Sequence, residues 1–266
     1  MAPTPATPAT PAADIVEEAG HVLSGCAEQQ VSGRLLGGLA VARHRHLPTP
    51  APLERAYADI DIVIGRKQGR QAKAAMLGLG YVPNDRFNGL HGDRRLLFYD
   101  EHNGRQLDVF VGSFSMCHSL DLSGRLTLLP DTLSVADLLL TKLQIVQINA
   151  KDLIDAAQLL RNHELGRADD PGTDHLSLDR VCAVTSGDWG WYTTLSDNLA
   201  KLIAFASDEL TELAEPDRAR IEGSARSIQE AIDHAAKSLR WKARARVGRR
   251  VPWYELPEEV AGNQHG

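Results

Sequence analysis

The chain has 266 residues, 43% of them apolar, and carries a formal net charge of −6, enough apolar material for a packed core and too acidic overall for a general nucleic-acid binder. Its three cysteines, Cys26, Cys117 and Cys182, are widely spaced, which argues against a disulfide framework or a zinc ribbon. No apolar run reaches the roughly 18 residues of a membrane span, and neither a basic nor an apolar leader segment opens the chain, so no membrane partner and a cytoplasmic location are expected.

Residues 1–13, a Pro/Ala/Thr tract, are expected to form a disordered tail. From Asp14 to about Gln30 the apolar residues recur at helical spacing. Arg34 to Leu36 reads as a short strand that runs into Gly37-Gly38, and Leu39 to Arg45 as a helix leaving that turn. A strand, two glycines and a helix start can seat a phosphate, because glycine lets the backbone approach and the helix terminus offers free N–H groups. His44 and His46 lie two apart on that helix, where such residues do not share a face, so no metal is expected there.

Leu47 to Ala58 holds three prolines and reads as a loop; Asp59 to Ile64 is the next strand. Alternation along it places Asp59 and Asp61 on one face and Ile60 and Ile62 on the other. Two carboxylates side by side repel each other, and a hard dication such as Mg²⁺ relieves that. A helix from about Gln68 to Leu79 ends at Gly80, His91 falls in a loop between Gly89 and Gly92, and a hairpin pairs Arg95–Tyr99 with Gln106–Val111 across Asn103-Gly104. Asp108 is a lone acid in that second strand, so it either pairs with an arginine such as Arg94 or Arg105 or joins Asp59 and Asp61 around a metal.

Ser134-x-x-Asp137 opens a helix whose one basic residue is Lys142, and a second helix from near Asn149 carries Asp152 and Asp155. Residues 188–192, Asp-Trp-Gly-Trp-Tyr, open a further helix and read as core. A long helix begins near Pro216. Its far end carries Arg240, Lys242, Arg244, Arg246, Arg249 and Arg250, flanked by Trp241, Trp253 and Tyr254; basic residues with aromatics suit RNA phosphates and stacked bases.

The order of these pieces resembles the DNA polymerase β-type nucleotidyltransferase superfamily, and within it the abortive-infection toxin group. Gly37-Gly38, Asp59-x-Asp61, Asp108, then Leu138–Gln144 and Lys151–Leu160 carry the likeness, over roughly residues 30 to 163. The interval between Gly38 and Asp59 is longer than that superfamily commonly has, and Gly38 stands where many members carry serine. The resemblance implies an α/β (α+β) fold: a small mixed sheet flanked by helices over residues 14–130, followed by a helical domain over 131–266. It implies a Mg²⁺-dependent transfer of a nucleoside monophosphate from an NTP to an acceptor hydroxyl, for example on a tRNA. Asp59 and Asp61 would hold Mg²⁺, with Asp108 completing a two-metal site. Gly37 and Gly38 would seat the triphosphate, Lys142 and, more weakly, Arg55 would meet its phosphates, and Asp152 and Asp155 would orient Lys142 or contact the base. The alternative is an inactive relative that binds nucleotide or a partner protein of antitoxin type.

Overall fold

The computed structural model describes residues 9–256, so the first eight residues of the expected tail lie outside it. The chain opens with α1 (Ile15–Glu28), whose first amides are met by the Asp14 carboxylate, accepting from Val16 N at 2.9 Å and Glu17 N at 2.8 Å. Then come β1 (Arg34–Leu36), α2 (Gly37–Arg43), β2 (Asp59–Ile64), α3 (Gly69–Gly78), β3 (Val82–Pro83), α4 (Asp85–His91), β4 (Arg95–Asp100) and β5 (Arg105–Val111). The five strands form one sheet in the order β1-β2-β5-β4-β3. Only β2 and β5 run parallel; the other pairs are antiparallel. The expected small mixed sheet flanked by helices is therefore present.

One short two-stranded ribbon, β6 (Ser113–Ser115) with β7 (Ser119–Asp121), precedes the helical half. That half comprises α5 (Val135–Leu143), α6 (Ala150–Asn162), the paired β8 (Leu165–Gly166) and β9 (Leu176–Ser177), α7 (Leu178–Gly187), α8 (Trp189–Asp208), α9 (Glu215–His234) and α10 (Leu239–Val247). It is joined to the sheet by backbone pairing: Leu35 N donates to Asp131 O at 2.8 Å and Leu133 N to Leu35 O at 3.1 Å. Helix α2 packs on both α5 and α6, and the buried apolar residues form one connected cluster from Ala19 to Ile232. Among the described residues no helix is long and apolar enough to cross a membrane.

Three local expectations change. Residues 9–13, expected to be disordered, are held: Ala9 N donates to Gly78 O at 3.0 Å, Ala12 N to Glu18 Oε2 at 2.7 Å, and Pro11 is buried. Gly80 makes this approach possible, since its φ is +87° and a Cβ there would collide with the Ala9 carbonyl. His91 ends the helix α4 rather than lying in a loop, with Phe87 one turn before it, ring centroids 4.8 Å apart. The basic run is not the end of the long helix either; α9 stops at His234 and α10 starts anew behind a Ser238 cap.

The β4–β5 turn is fixed by a buried ion pair. Asp100 Oδ2 lies 2.9 Å from Arg105 Nη2, both side chains almost fully buried, and Asp100 Oδ1 accepts from His102 N and Asn103 N. Arg105 also donates to the Ala12 carbonyl, so tail and hairpin share one cation. Removing one partner leaves the other charge buried and unpaired, a loss of about 3–5 kcal/mol. Asp100→Ala is expected to lower the unfolding free energy by that order in a urea titration; a change below about 1 kcal/mol would contradict this role.

Candidate functional site

The register of the parallel pair builds the site. Asp61 sits opposite Asp108 across β2 and β5, and Leu36, the last residue of β1, sits opposite Asp61 on its other side. Register partners on neighbouring strands share a face, so Asp59, Asp61 and Asp108 project together while Ile60 and Ile62, fully buried, fill the other face. Immediately after Leu36 the chain turns through Gly37, whose φ is +70°. A Cβ at Gly37 would land on Asp61 Oδ2, so both the backbone conformation and the close approach demand glycine. A side chain at Gly38 would instead crowd Tyr57. The expected glycine turn thus lies directly against the second aspartate, even though 20 residues separate Gly38 from Asp59; the proline-containing segment is consumed by a short 3-10 turn, Ala51–Leu53, that packs on α6.

Burial, then the charge of Asp108, then that of Asp59 push the Asp61 carboxyl up to about 7, against the opposing pull of Lys142 and Arg95. Asp59 is raised too, by burial first and Asp108 next. Asp108, 3% exposed, is the acid whose partner the sequence misassigned. It is neither Arg94 nor Arg105 but Arg95, whose Nε donates to Asp108 Oδ1 at 2.7 Å, while Gln106 Nε2 donates to Oδ2 at 2.7 Å. Arg105 is committed to Asp100. Asp108 therefore pairs with an arginine, though a different one from those expected, and it shares its face with the other two aspartates.

Lys142, in the last turn of α5, approaches from the helical half. Its Nζ lies 2.8 Å from Asp155 Oδ2 and 3.1 Å from Asp152 Oδ1. Those two carboxylates outweigh burial and raise the lysine pKa, so the ammonium is firmly charged. Asp155 also pairs with Arg55, whose guanidinium lies over the Tyr57 ring, 5.3 Å from its centroid. Arg55 Nε and Asp155 Oδ1 are buried without a hydrogen-bond partner. Asp152 and Asp155 thus orient Lys142, as expected, and Asp155 couples it to Arg55. A cavity of about 280 Å³ opens between the halves, with Gly37, Asp61, Lys142, Asp152 and Asn149 on its wall.

Donor chemistry and geometry bear on a cation differently. Three carboxylates on one face suit a hard, oxygen-preferring dication; the Asp61 carboxyl is raised by burial first and then by the charges of Asp108 and Asp59, a repulsion that such an ion relieves. Yet the one group of three or more ligating side chains, among the described residues, whose donor atoms all come within 4.8 Å of each other lies elsewhere: His44, His163 and Asp174. The aspartates do not close to that spacing, with Arg95 and Gln106 holding both oxygens of Asp108.

Of the basic segment, Arg240 and Arg244 line a groove of about 940 Å³ together with Trp189, Trp241, Trp253 and Tyr254. Arg244 lies over the Trp189 ring at 4.8 Å and Arg249 over Trp253 at 5.0 Å. Arg249 pairs with Asp197 at 2.6 Å. Lys242, Arg246 and Arg250 are exposed and do not line the groove. Of residues 188–192, Gly190 and Trp191 are buried and Tyr192 packs against the core, as expected, while Asp188 caps α8 and Trp189 faces the groove. Met116, which no sequence signal marked, lines both this groove and the Asp61 cavity. No family model matches the chain, and no curated protein or solved structure matches it.

The raised Asp61 carboxyl has a stability consequence with a definite sign. In an unfolded chain an aspartate titrates near 3.8, in the fold near 7, so between those values the folded chain holds a proton the unfolded chain has lost. Asp61 therefore costs increasing stability as pH rises from about 4 to about 7, and the full cost above that. Asp61→Asn is expected to raise the unfolding free energy at pH 7.5 by on the order of 1 kcal/mol or more and to leave it unchanged at pH 4. Denaturant titrations at both values check this; equal stability at pH 7.5 would contradict it.

Proposed function

We propose that the chain is a Mg²⁺-dependent nucleotidyltransferase that moves a nucleoside monophosphate from an NTP to an acceptor hydroxyl. The observation that carries this reading is the single face on which Asp61, its register partner Asp108 and the glycine turn at Gly37 meet, with the Lys142 ammonium across one cavity from them. Bound at Asp59 and Asp61, with Asp108 contributing to a second position, Mg²⁺ would neutralise the phosphates and lower the acceptor hydroxyl's pKa.

The chain's own residues supply the rest. Gly37 and Gly38 would present bare backbone to the phosphates beside Asp61, and the start of α2 would offer them its free N–H groups. Lys142 meets the outer phosphates as a point charge and stabilises the pyrophosphate as it departs, a role for which its two aspartates keep it charged and aimed. Asp108 accepts the acceptor's proton, exchanging the Gln106 hydrogen bond for it. The acceptor oxygen then forms its bond to the α-phosphorus as the bond to the β-phosphate oxygen breaks in line. The groove that shares Met116 with the cavity presents Arg240 and Arg244 among three tryptophans and Tyr254, which fits an RNA end stacked on aromatics, such as that of a tRNA.

A second reading is favoured by one observation, the Arg95–Asp108 pair at 2.7 Å. An arginine that neutralises the third carboxylate is what a non-catalytic relative would retain, one that binds nucleotide or an antitoxin-type protein partner. The two readings part on a simple assay. Incubation with labelled NTPs, Mg²⁺ and total RNA is expected to transfer label to RNA. Asp61→Asn and Lys142→Ala should each reduce it by about 100-fold or more, and Arg95→Gln should not abolish it. Labelling absent with every NTP, or indifferent to Asp61→Asn, would sink the enzymatic reading in favour of the second.

A further inference from the structure

On the far side of α2 from the glycine turn, four metal-ligating side chains converge from three separate segments. Helix α2 ends at Arg43, and His44 is its cap with φ −86° and ψ 5°. His44 and His46 therefore lie beyond the helix, where the rule that residues two apart face away from each other no longer applies; the expectation that they could not act together fails for that reason. His163 caps the other end of the neighbourhood, at the C-terminus of α6, and Asp174 comes from the segment between β8 and β9. One ring nitrogen or carboxylate oxygen from each of His44, His163 and Asp174 lies within 4.8 Å of the others. His46 reaches the same carboxylate, with Nε2 2.6 Å from Asp174 Oδ2, and its ring centroid is 5.0 Å from that of His163.

His44 Nε2 contacts the Thr132 hydroxyl at 2.8 Å and the Leu133 carbonyl at 3.1 Å; the carbonyl only accepts and the hydroxyl can accept too, so a hydrogen on Nε2 satisfies both. His44 Nδ1 is then a bare lone pair, and it lies 3.9 Å from Asp174 Oδ1. His163 Nδ1 contacts the Asp174 carbonyl at 2.8 Å and lies 3.3 Å from Asp174 Oδ1, which by the same logic leaves Nε2 bare. That Nε2 is buried without any hydrogen-bond partner, on a residue only 2% exposed. An orphaned buried ring nitrogen, in a cluster whose two buried rings have centroids 5.5 Å apart, is an unmet electrostatic need. Metal-ligating histidines commonly donate their other ring N–H to a backbone carbonyl, and both of these do.

We infer that His44, His46, His163 and Asp174 form a binding site for a single transition-metal dication of the zinc class. Three imidazoles and one carboxylate favour such an ion over Mg²⁺, which takes oxygen ligands and keeps its waters. His44, His163 and Asp174 already share ligating spacing, and with His46 turning from Asp174 onto the ion as the fourth ligand no position stays open, so the ion is structural. It fastens the end of α2, which begins at the glycine turn, to the end of α6, which carries Asp152 and Asp155, together with the β8–β9 connection. Asn162 already bridges the same two ends, its Oδ1 accepting from His46 N and Leu47 N at 2.9 Å each.

The site is tested on the full-length protein after dialysis against a chelator, by titration with Co²⁺ followed in visible absorption and then displacement by Zn²⁺. One equivalent of Co²⁺ is expected to give the intense d–d bands of tetrahedral coordination, lost on adding one equivalent of Zn²⁺ and untouched by excess Mg²⁺. His46→Gln and Asp174→Asn alter half-exposed side chains and leave the fold intact; each is expected to weaken Co²⁺ binding about tenfold or more. Asp61→Asn should bind Co²⁺ as the parent does, which keeps this outcome separate from the fate of the nucleotidyltransferase proposal. Absence of a saturable band, or the same band and affinity in both His46→Gln and Asp174→Asn, would overturn the inference.

Discussion

The parallel pairing of β2 with β5 is the constraint on which the site depends. Its register sets Asp61 against Asp108, and the antiparallel pairing of β1 on the other edge sets Leu36, and so the Gly37 turn, against Asp61. A slip of one residue would send the carboxylates into the apolar face and Ile60 and Ile62 into solvent. The core holds that register in place, because Ile60, Ile62 and Ile64, which share the face opposite the aspartates, are all fully buried. Burying one face so completely is what permits the other to hold three acids close together, with the Asp61 carboxyl raised as the consequence.

Around that face the helical half acts as a charged lid. Lys142, Asp152, Asp155 and Arg55 form a chain of alternating signs between α5, α6 and the segment before β2. Two acids and two bases leave the group near neutrality as a whole, so the lysine stays ionised beside the aspartate face without being drawn fully onto it. The same packing of α2 on α5 and α6 is secured at its other end by the histidine cluster, so the glycine turn and the lysine sit on elements joined at both ends.

Much of this was legible in the chain itself. The alternation in Asp59–Ile64, the Asn103-Gly104 turn with Gly104 at φ +65° and the caps at Asp14, Ser134 and Asn149 are local signals, and local physics resolves them. The contacts that sequence reading missed are long-range. Arg95 rather than Arg94 or Arg105 meets Asp108 because β4 alternates and only Arg95 lies on the carboxylate face. Residues 9–13 have no propensity of their own and are ordered by a donor on the hairpin, Asn103, and an acceptor on α1, Glu18. His44 and His46 looked incompatible only while the helix was drawn two residues too long. His163 and Asp174 lie more than 115 residues further along the chain, and no spacing rule connects them.

The central claim is that the aspartate face and the glycine turn together seat a Mg²⁺-bound triphosphate. A crystal structure of the protein with Mg²⁺ and an NTP made non-hydrolysable at its α–β bridge tests it most directly. The account predicts phosphates against Gly37 and Gly38, Lys142 on the outer phosphates, and a cation between them and Asp59 and Asp61, with Arg95 or Gln106 shifted from Asp108. A nucleotide bound away from β2, or saturating Mg²⁺ and nucleotide with the Asp59–Asp61 face unchanged, would contradict it.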